Sequence, residues 1–146
     1  MQRVGSASVS VDGELMASIG PGLLVLLGVA STDTPRDADR LAARVMALRV
    51  FADADGRMNA PLGARELLCV SQFTLYADTR RGNRPSYTAA APAQIALPLY
   101  ERFCDATGAR RGRFGAEMAV ALVNDGPVTL LLEQPPASQS SFREPV

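Results

Sequence analysis

The sequence predicts one α+β domain in which a mixed, largely antiparallel sheet carries two packed helices. Three observations predict it. Strand-like segments, alternating or fully apolar, recur along the chain. Two windows carry the 3.6-residue period of a helix, and no linker or internal repeat divides them. At 146 residues, with 47% apolar and 21% charged side chains, the chain suits a single core of that size.

Residues 4–11 set Val4, Ala7, Val9 and Val11 against Ser6, Ser8 and Ser10, the alternation of a half-buried strand. Asp12-Gly13 turns the chain into a second strand over 15–19. Gly20-Pro21-Gly22 leads into 23–29, apolar throughout and therefore a central strand. Thr34 is an N-cap, Pro35 a first helical residue, and Asp37 an acid in the electropositive first turn. From there Leu41, Val45 and Leu48 share one face and Arg36, Arg40 and Arg44 another, predicting an amphipathic helix to about Arg49. Val50-Phe51 resumes a strand that Asp53-Ala54-Asp55-Gly56 turns. The glycine there follows too soon for a calcium loop.

Residues 67–76 form the next predicted strand, buried at first and polar from Ser71 onward, and 78–88 a polar loop. Pro92 opens a second helix to Thr107, with Ile95, Leu99 and Phe103 on one face and Gly108 closing it. Pro98 lies inside, where a missing N–H predicts a kink or a later start. The last strands span 113–123 and 128–132, joined by a turn at Asn124-Asp125-Gly126-Pro127. The domain is set at residues 1–134, followed by a tail over 135–146 whose Pro, Ser and Gln predict disorder.

The charge is balanced, 15 basic against 15 acidic residues, so no global field advertises a nucleic-acid partner. Every basic residue is Arg; Lys and His are absent. Without His there is no side chain whose ordinary pKa suits proton transfer near neutrality, and Ser-His-Asp and Cys-His catalysis are excluded. Without Lys there is no Schiff base. A hydrolase built from this chain must use carboxylates, hydroxyls, backbone N–H groups or a group on its substrate. Cys69 and Cys104 both fall in apolar patterns and read as buried free thiols. No apolar run reaches membrane-spanning length and the first residues lack a secretory pattern, so a soluble cytoplasmic protein is expected.

Two segments carry more than structure. In Ser71-Gln72-Phe73-Thr74-Leu75 a buried strand turns polar just before an Arg-rich loop, and a strand end offers backbone N–H groups free of the ladder for an oxyanion. In Asn124-Asp125-Gly126-Pro127 a Gly-Pro pair between apolar strands exposes rigid backbone with almost no side chain.

Together these segments resemble the signature pair of the D-aminoacyl-tRNA deacylase family. The likeness continues through Gln2-Arg3-Val4, the apolar run from Gly22 to Val29, Arg49-Val50-Phe51, Gly82-Asn83-Arg84-Pro85-Ser86, Gly112-Arg113-Phe114 and the stretch from Leu122 to Thr129. It covers the chain in order from Gln2 to about Leu132. One departure stands at the start, where Met1 directly precedes Gln2 although family members carry a few apolar residues there. Either a shortened first strand or a start upstream of Met1 is expected.

The resemblance implies a barrel-like sheet and a homodimer with the active site at the subunit interface. It implies hydrolysis of the ester joining a D-amino acid, or glycine mischarged on tRNA-Ala, to the terminal adenosine of tRNA. Gly126 and a cis Pro127 would enter the partner's pocket and exclude L side chains, with Arg3 bracing them and Phe114 and Met118 lining the pocket. Backbone N–H groups of Phe73 and Thr74 would hold the oxyanion. Ser71 and Gln72 would contact the substrate, and Arg80, Arg81 and Arg84 the tRNA phosphates. Either the Thr74 hydroxyl or the 2′-hydroxyl of the RNA would supply the chemistry. No metal, cofactor, DNA or membrane is implied.

Overall fold

The computed structural model describes residues 1–135. All but the first residue of the expected tail lies outside them. The elements are β1 (Gln2–Val11), β2 (Glu14–Ile19), β3 (Gly22–Leu27), α1 (Pro35–Ala47), β4 (Phe51–Ala52), β5 (Met58–Ala60) and β6 (Glu66–Ser71). A 3-10 turn (Phe73–Tyr76), α2 (Ala93–Thr107), β7 (Arg110–Arg111) and β8 (Ala119–Thr129) complete the described chain.

One sheet runs β2-β1-β3-β6-β7, with β8 on the other side of β1. The β3–β6 and β6–β7 pairs are parallel and the pairs made by β1 antiparallel, which is the expected mixed sheet. Because β1 pairs β3 through Gln2–Val4 and β2 from Ala7 onward, the sheet bends along it and β2 approaches β6 and β7. The sheet is therefore nearly closed. Alternation along β3 separates two cores: Leu23, Val25 and Leu27 face the helices, whereas Leu24 joins Val4, Val9, Leu68 and Val70 inside the curl. Cys69 and Cys104 are buried and free, as expected.

Gly22 makes this geometry possible. A Cβ there would lie 1.8 Å from the Glu66 carbonyl oxygen, so β3 and β6 approach at a distance only glycine permits.

α1 begins where its cap chemistry predicts. The Asp37 carboxylate accepts from the Thr34 N–H at 2.9 Å and from the Thr34 hydroxyl at 2.7 Å. α2 runs without interruption from Ala93 through Pro98 and ends at Gly108, whose φ of 66° closes it. Pro98 neither breaks the helix nor delays its start, because one absent bond within the second turn is offset by burial of Leu99, Tyr100 and Phe103.

Four expectations need correction. The strand expected from Arg113 begins only at Ala119, after the unforeseen β7. The strand expected over 67–76 ends at Ser71 and gives way to the 3-10 turn. The short β5 was not foreseen; it pairs β4 across the Asp53–Gly56 turn, where the Asp53 carboxylate accepts from the N–H groups of Asp55 and Arg57. Most consequentially, Asn124-Asp125-Gly126-Pro127 is no hairpin turn. It lies within the single long strand β8, whose extra residues are absorbed as a register shift against β1 between Gln2 and Val4; the shift between Val4 and Ser6 places its extra residue on β1. β8 is an edge strand, where the missing N–H of Pro127 costs no ladder bond.

Candidate active site

The Gln72 N–H donates to the Leu27 carbonyl at 2.8 Å, the last ladder bond on this side of β6. Beyond it the chain coils into the 3-10 turn, with Leu75 N–H donating to the Gln72 carbonyl at 3.3 Å. The first N–H groups of any helical turn lack an intrahelical partner, and those of Phe73 and Thr74 find no other acceptor among the described residues. The two N–H groups expected to be free are free, through the start of a coil rather than the end of a strand. Gly28 lets the turn sit close, since a Cβ there would lie 3.1 Å from the Tyr76 ring and 3.2 Å from the Leu75 Cβ.

Side chains around this turn are partly open to solvent. The Gln72 amide nitrogen donates to the Thr74 hydroxyl oxygen. Phe73 is 56% exposed and meets Tyr87 edge-to-face at 5.2 Å. Behind the turn lies a largely apolar cavity of about 620 Å³ bordered by Gln72, Leu75, Tyr76, Leu24, Leu99 and Leu130. Its polar edge includes Asp33, whose carboxyl is pushed up by burial and by Asp37 although the Ala30 N–H favours its charged form. Tyr76 is also pushed up, first by burial and then by Asp33 and Glu133. These groups resist ionisation, and neither supplies an activated nucleophile. Among the described residues no three His, Cys, Asp or Glu side chains gather to hold a metal ion.

Of the three loop arginines, Arg80 is engaged by Asp78 through its Nε at 2.9 Å and Nη2 at 2.6 Å. Arg81 and Arg84 are exposed and make no ion pair among the described residues.

The second segment is built around Arg3. Its Nε donates to the Asp125 carbonyl at 2.9 Å and lies 3.4 Å from the Asp125 carboxylate; its Nη1 donates to the Val50 carbonyl at 2.6 Å. Gly126 has φ 119°, and a Cβ on it would stand 2.0 Å from Arg3 Nη2. The guanidinium thus rests on the bare face of this glycine. β1 runs the full ten residues from Gln2, where a shortened strand was one expectation, and its start is secured: the Met1 ammonium donates to the Leu130 carbonyl at 2.7 Å and the Leu130 N–H to the Met1 carbonyl at 3.0 Å. No described peptide bond is cis, so Gly126–Pro127 is trans where the resemblance implied cis. Pro127 is exposed, and nothing in the lone chain packs on it to offset a trans preference of about 0.5–1 kcal/mol.

The two segments do not meet within one chain. Gly126 and Pro127 stand beside Arg3, level with Leu23 and Leu67, whereas Ser71 lies four residues farther along β6. Three strand spacings and four residues of rise separate them by roughly 20 Å along the sheet. Phe114 and Met118 are likewise apart. Phe114 packs on the helix side against Tyr100 at 5.7 Å, and Met118 joins the core inside the curl.

Sequence reasoning missed three supports: the Val50 carbonyl under Arg3, Gln2 Nε2 donating to Asn124 at 3.2 Å, and Tyr87 beside Phe73. Each joins residues far apart in the chain, and no local pattern encodes such contacts.

The model of the family described as D-Tyr-tRNA(Tyr) deacylase matches residues 1–133. A protein of Roseiflexus castenholzii named D-aminoacyl-tRNA deacylase is 54% identical, covering 99% of this chain and 94% of its own. One of the same name from Myxococcus xanthus is 51% identical, covering 92% and 93%. Among solved structures, one named c-Myc DNA Unwinding Element Binding Protein is 39% identical, with a TM-score of 0.86 over 92% of this chain and 96% of that one. Another, named as a probable eukaryotic D-amino acid tRNA deacylase, is 14% identical with a TM-score of 0.74 over 86% and 92%, and shares the fold.

Proposed function

The chain belongs to the D-Tyr-tRNA(Tyr) deacylase family, and from that premise we propose that it hydrolyses the ester between a D-amino acid and the terminal adenosine of tRNA. The products are free amino acid and tRNA. The observation that carries the chemistry is the pair of unpaired N–H groups at Phe73 and Thr74, set beside Gln72 at the mouth of the turn. Water adds to the ester carbonyl, the developing oxyanion takes those two donors, and the ribose oxygen leaves with the proton. One such donor lowers the barrier by about 3 kcal/mol. With no His or Lys in the chain and no carboxylate hydrogen-bonded to Thr74 or Gln72 among the described residues, the 2′-hydroxyl of the terminal ribose is favoured as the assisting group.

Chirality is read by the backbone of Gly126 and Pro127 entering the pocket of a second copy. An L side chain collides with it, a D side chain points away and glycine has none, so glycine mischarged on tRNA-Ala is also released. The separation of roughly 20 Å between the two segments in one chain supports assembly of the site across a homodimer. Phe114 and Met118 line the completed pocket, Ser71 and Gln72 contact the substrate, and Arg81 and Arg84, with Arg80, meet phosphates. Names among the relatives include both a tRNA deacylase and a DNA-element binder, so contact with nucleic acid is common to them. The role is proofreading in the cytoplasm. Among the described residues no helix is long and apolar enough to cross a membrane.

Assays with D-Tyr-tRNA, L-Tyr-tRNA and Gly-tRNA test the reading. Release from the D and glycyl substrates with the L substrate intact is expected. Inertness toward all three would end the enzymatic reading, and cleavage of the L substrate would end the gate.

A further inference from the structure

We propose that the outer face of α1 is the track on which the acceptor stem of the RNA lies, with Arg36, Arg40 and Arg44 each meeting a phosphate of one strand. This rests on the deacylase reading and adds to it a surface outside the loop arginines.

The three residues stand at i, i+4 and i+8 of α1. Successive members are about 6 Å apart along the axis, and the stripe spans about 12 Å. One strand of a B-form duplex carries a phosphate per about 3.4 Å of axis and an A-form RNA strand spaces them more closely, so the stripe faces about four of them. Guanidinium forks suit phosphate oxygens, which they bind with two parallel N–H bonds.

The stripe is only partly neutralised by its own protein, through the nearby Asp37 carboxylate that Arg40 and Arg36 help to keep charged. Arg36 and Arg40 make no ion pair or side-chain hydrogen bond among the described residues, and Arg44 donates only to the Glu133 backbone carbonyl at 3.1 Å. The acids of α1 are otherwise occupied. Asp37 is buried against Thr34, and Asp39 is held by Arg102 of α2 at 2.6 and 2.8 Å. A solvated surface helix gains from opposite charges at i and i+4, whereas like charges there oppose its formation. In α1 that spacing holds Arg beside Arg twice over, in a chain of zero net charge. An anion laid along the face relieves the repulsion.

Position agrees with charge. The inner face of α1, through Ala38, Leu41 and Val45, borders the same cavity as Gln72, Leu75 and Tyr76. Arg36 lies in the first turn, three residues past Asp33 on that cavity's border, and Arg44 lies in the last turn, bonded to the carbonyl of Glu133 on the same border. α1 therefore runs along the cavity, and a stem whose end enters at the 3-10 turn can lie along the arginines of its outer face.

The test compares D-Tyr-tRNA with D-tyrosyl-adenosine, which carries the scissile ester but no stem. In R36Q/R40Q/R44Q, KM for D-Tyr-tRNA should rise about tenfold or more. The slope of log KM against log salt should flatten by between two and three. Cleavage of D-tyrosyl-adenosine should keep its wild-type rate, and the triple Lys variant should retain most of the affinity. R36Q/R44Q, which alters only exposed positions, should give about two-thirds of the change in slope should the triple variant fold poorly. An unchanged KM and salt slope, equal loss on both substrates, or dissociation of the assembly in sedimentation would each overturn the track. If the wild-type protein cleaves D-Tyr-tRNA while these variants match it, only the track fails. If it cleaves neither substrate, the deacylase reading fails and takes the track with it.

Discussion

The hydroxyl of Thr74 accepts a hydrogen bond from the Gln72 amide, so its recorded side-chain partner is a donor and not a base. A threonine so placed is a weak nucleophile. Thr74→Ala is therefore expected to keep its rate on D-Tyr-tRNA within about tenfold, whereas a 2′-deoxy terminal adenosine should abolish turnover by the unaltered protein. Single-turnover kinetics with both pairs decide it. Total loss in a folded Thr74→Ala would return the nucleophile to the protein. At the same scale, Gly22→Ala sets a methyl group against the Glu66 carbonyl, with backbone on both sides and no side chain to yield. It should cost about 3 kcal/mol or more in urea unfolding. A cost under about 1 kcal/mol would mean that β3 and β6 can part cheaply.

Among the elements, α1 offers a test with a definite sign. The Asp37 carboxyl is held below its ordinary value, chiefly by the Thr34 hydroxyl bond and further by the Thr34 N–H, Arg40 and Arg36, against an opposing effect of burial. A depressed value stabilises the fold above the unfolded-state pKa of about 4, and this contribution is lost as pH falls through the folded-state value. Asp37→Asn should cost about 1 kcal/mol near pH 7, and the gap to wild type should close in acid. Urea titrations at both ends of that range measure it, and a gap that widens in acid would contradict the cap assignment. This helix was also the element most legible in the sequence. Thr34, Pro35 and Asp37 announce its start, and Leu41 and Val45 its buried face. β8 was the least legible. Asn-Asp-Gly-Pro is turn chemistry by every local preference, and only the ladder with β1 keeps it extended. The 3-10 turn after Ser71 was hidden for a related reason: four residues have too short a period to read, and Gly28 across the fold makes their room. The two candidate segments nonetheless stood out in the sequence, since their composition was unusual even where their conformation was misjudged.

For the whole molecule, β8 presents a long exposed edge on which Leu122 is 39% and Val123 62% open to solvent. Unpaired apolar edges of this kind invite another strand or another copy. On the proposed reading of a site shared between two copies, Val123→Arg should halve the mass seen in sedimentation and lower turnover or release L substrates from exclusion. A monomer with wild-type rate and selectivity would refute a site shared between copies. Balanced charge hid any partner at this scale, since the arginine stripe of α1 is offset by acids elsewhere in the chain.

The edge contact between Phe73 and Tyr87 has a further, optical consequence. The chain contains three tyrosines and no tryptophan, so tyrosine emission is not drained by energy transfer to an indole. Tyr100 is buried with its hydroxyl on the Cys69 carbonyl and forms a constant background, whereas Tyr76 and Tyr87 stand at the turn itself. On the proposed reading, docking of an acceptor end against Phe73 would alter the surroundings of two of the three fluorophores, and the unlabelled protein would carry its own reporter of substrate arrival.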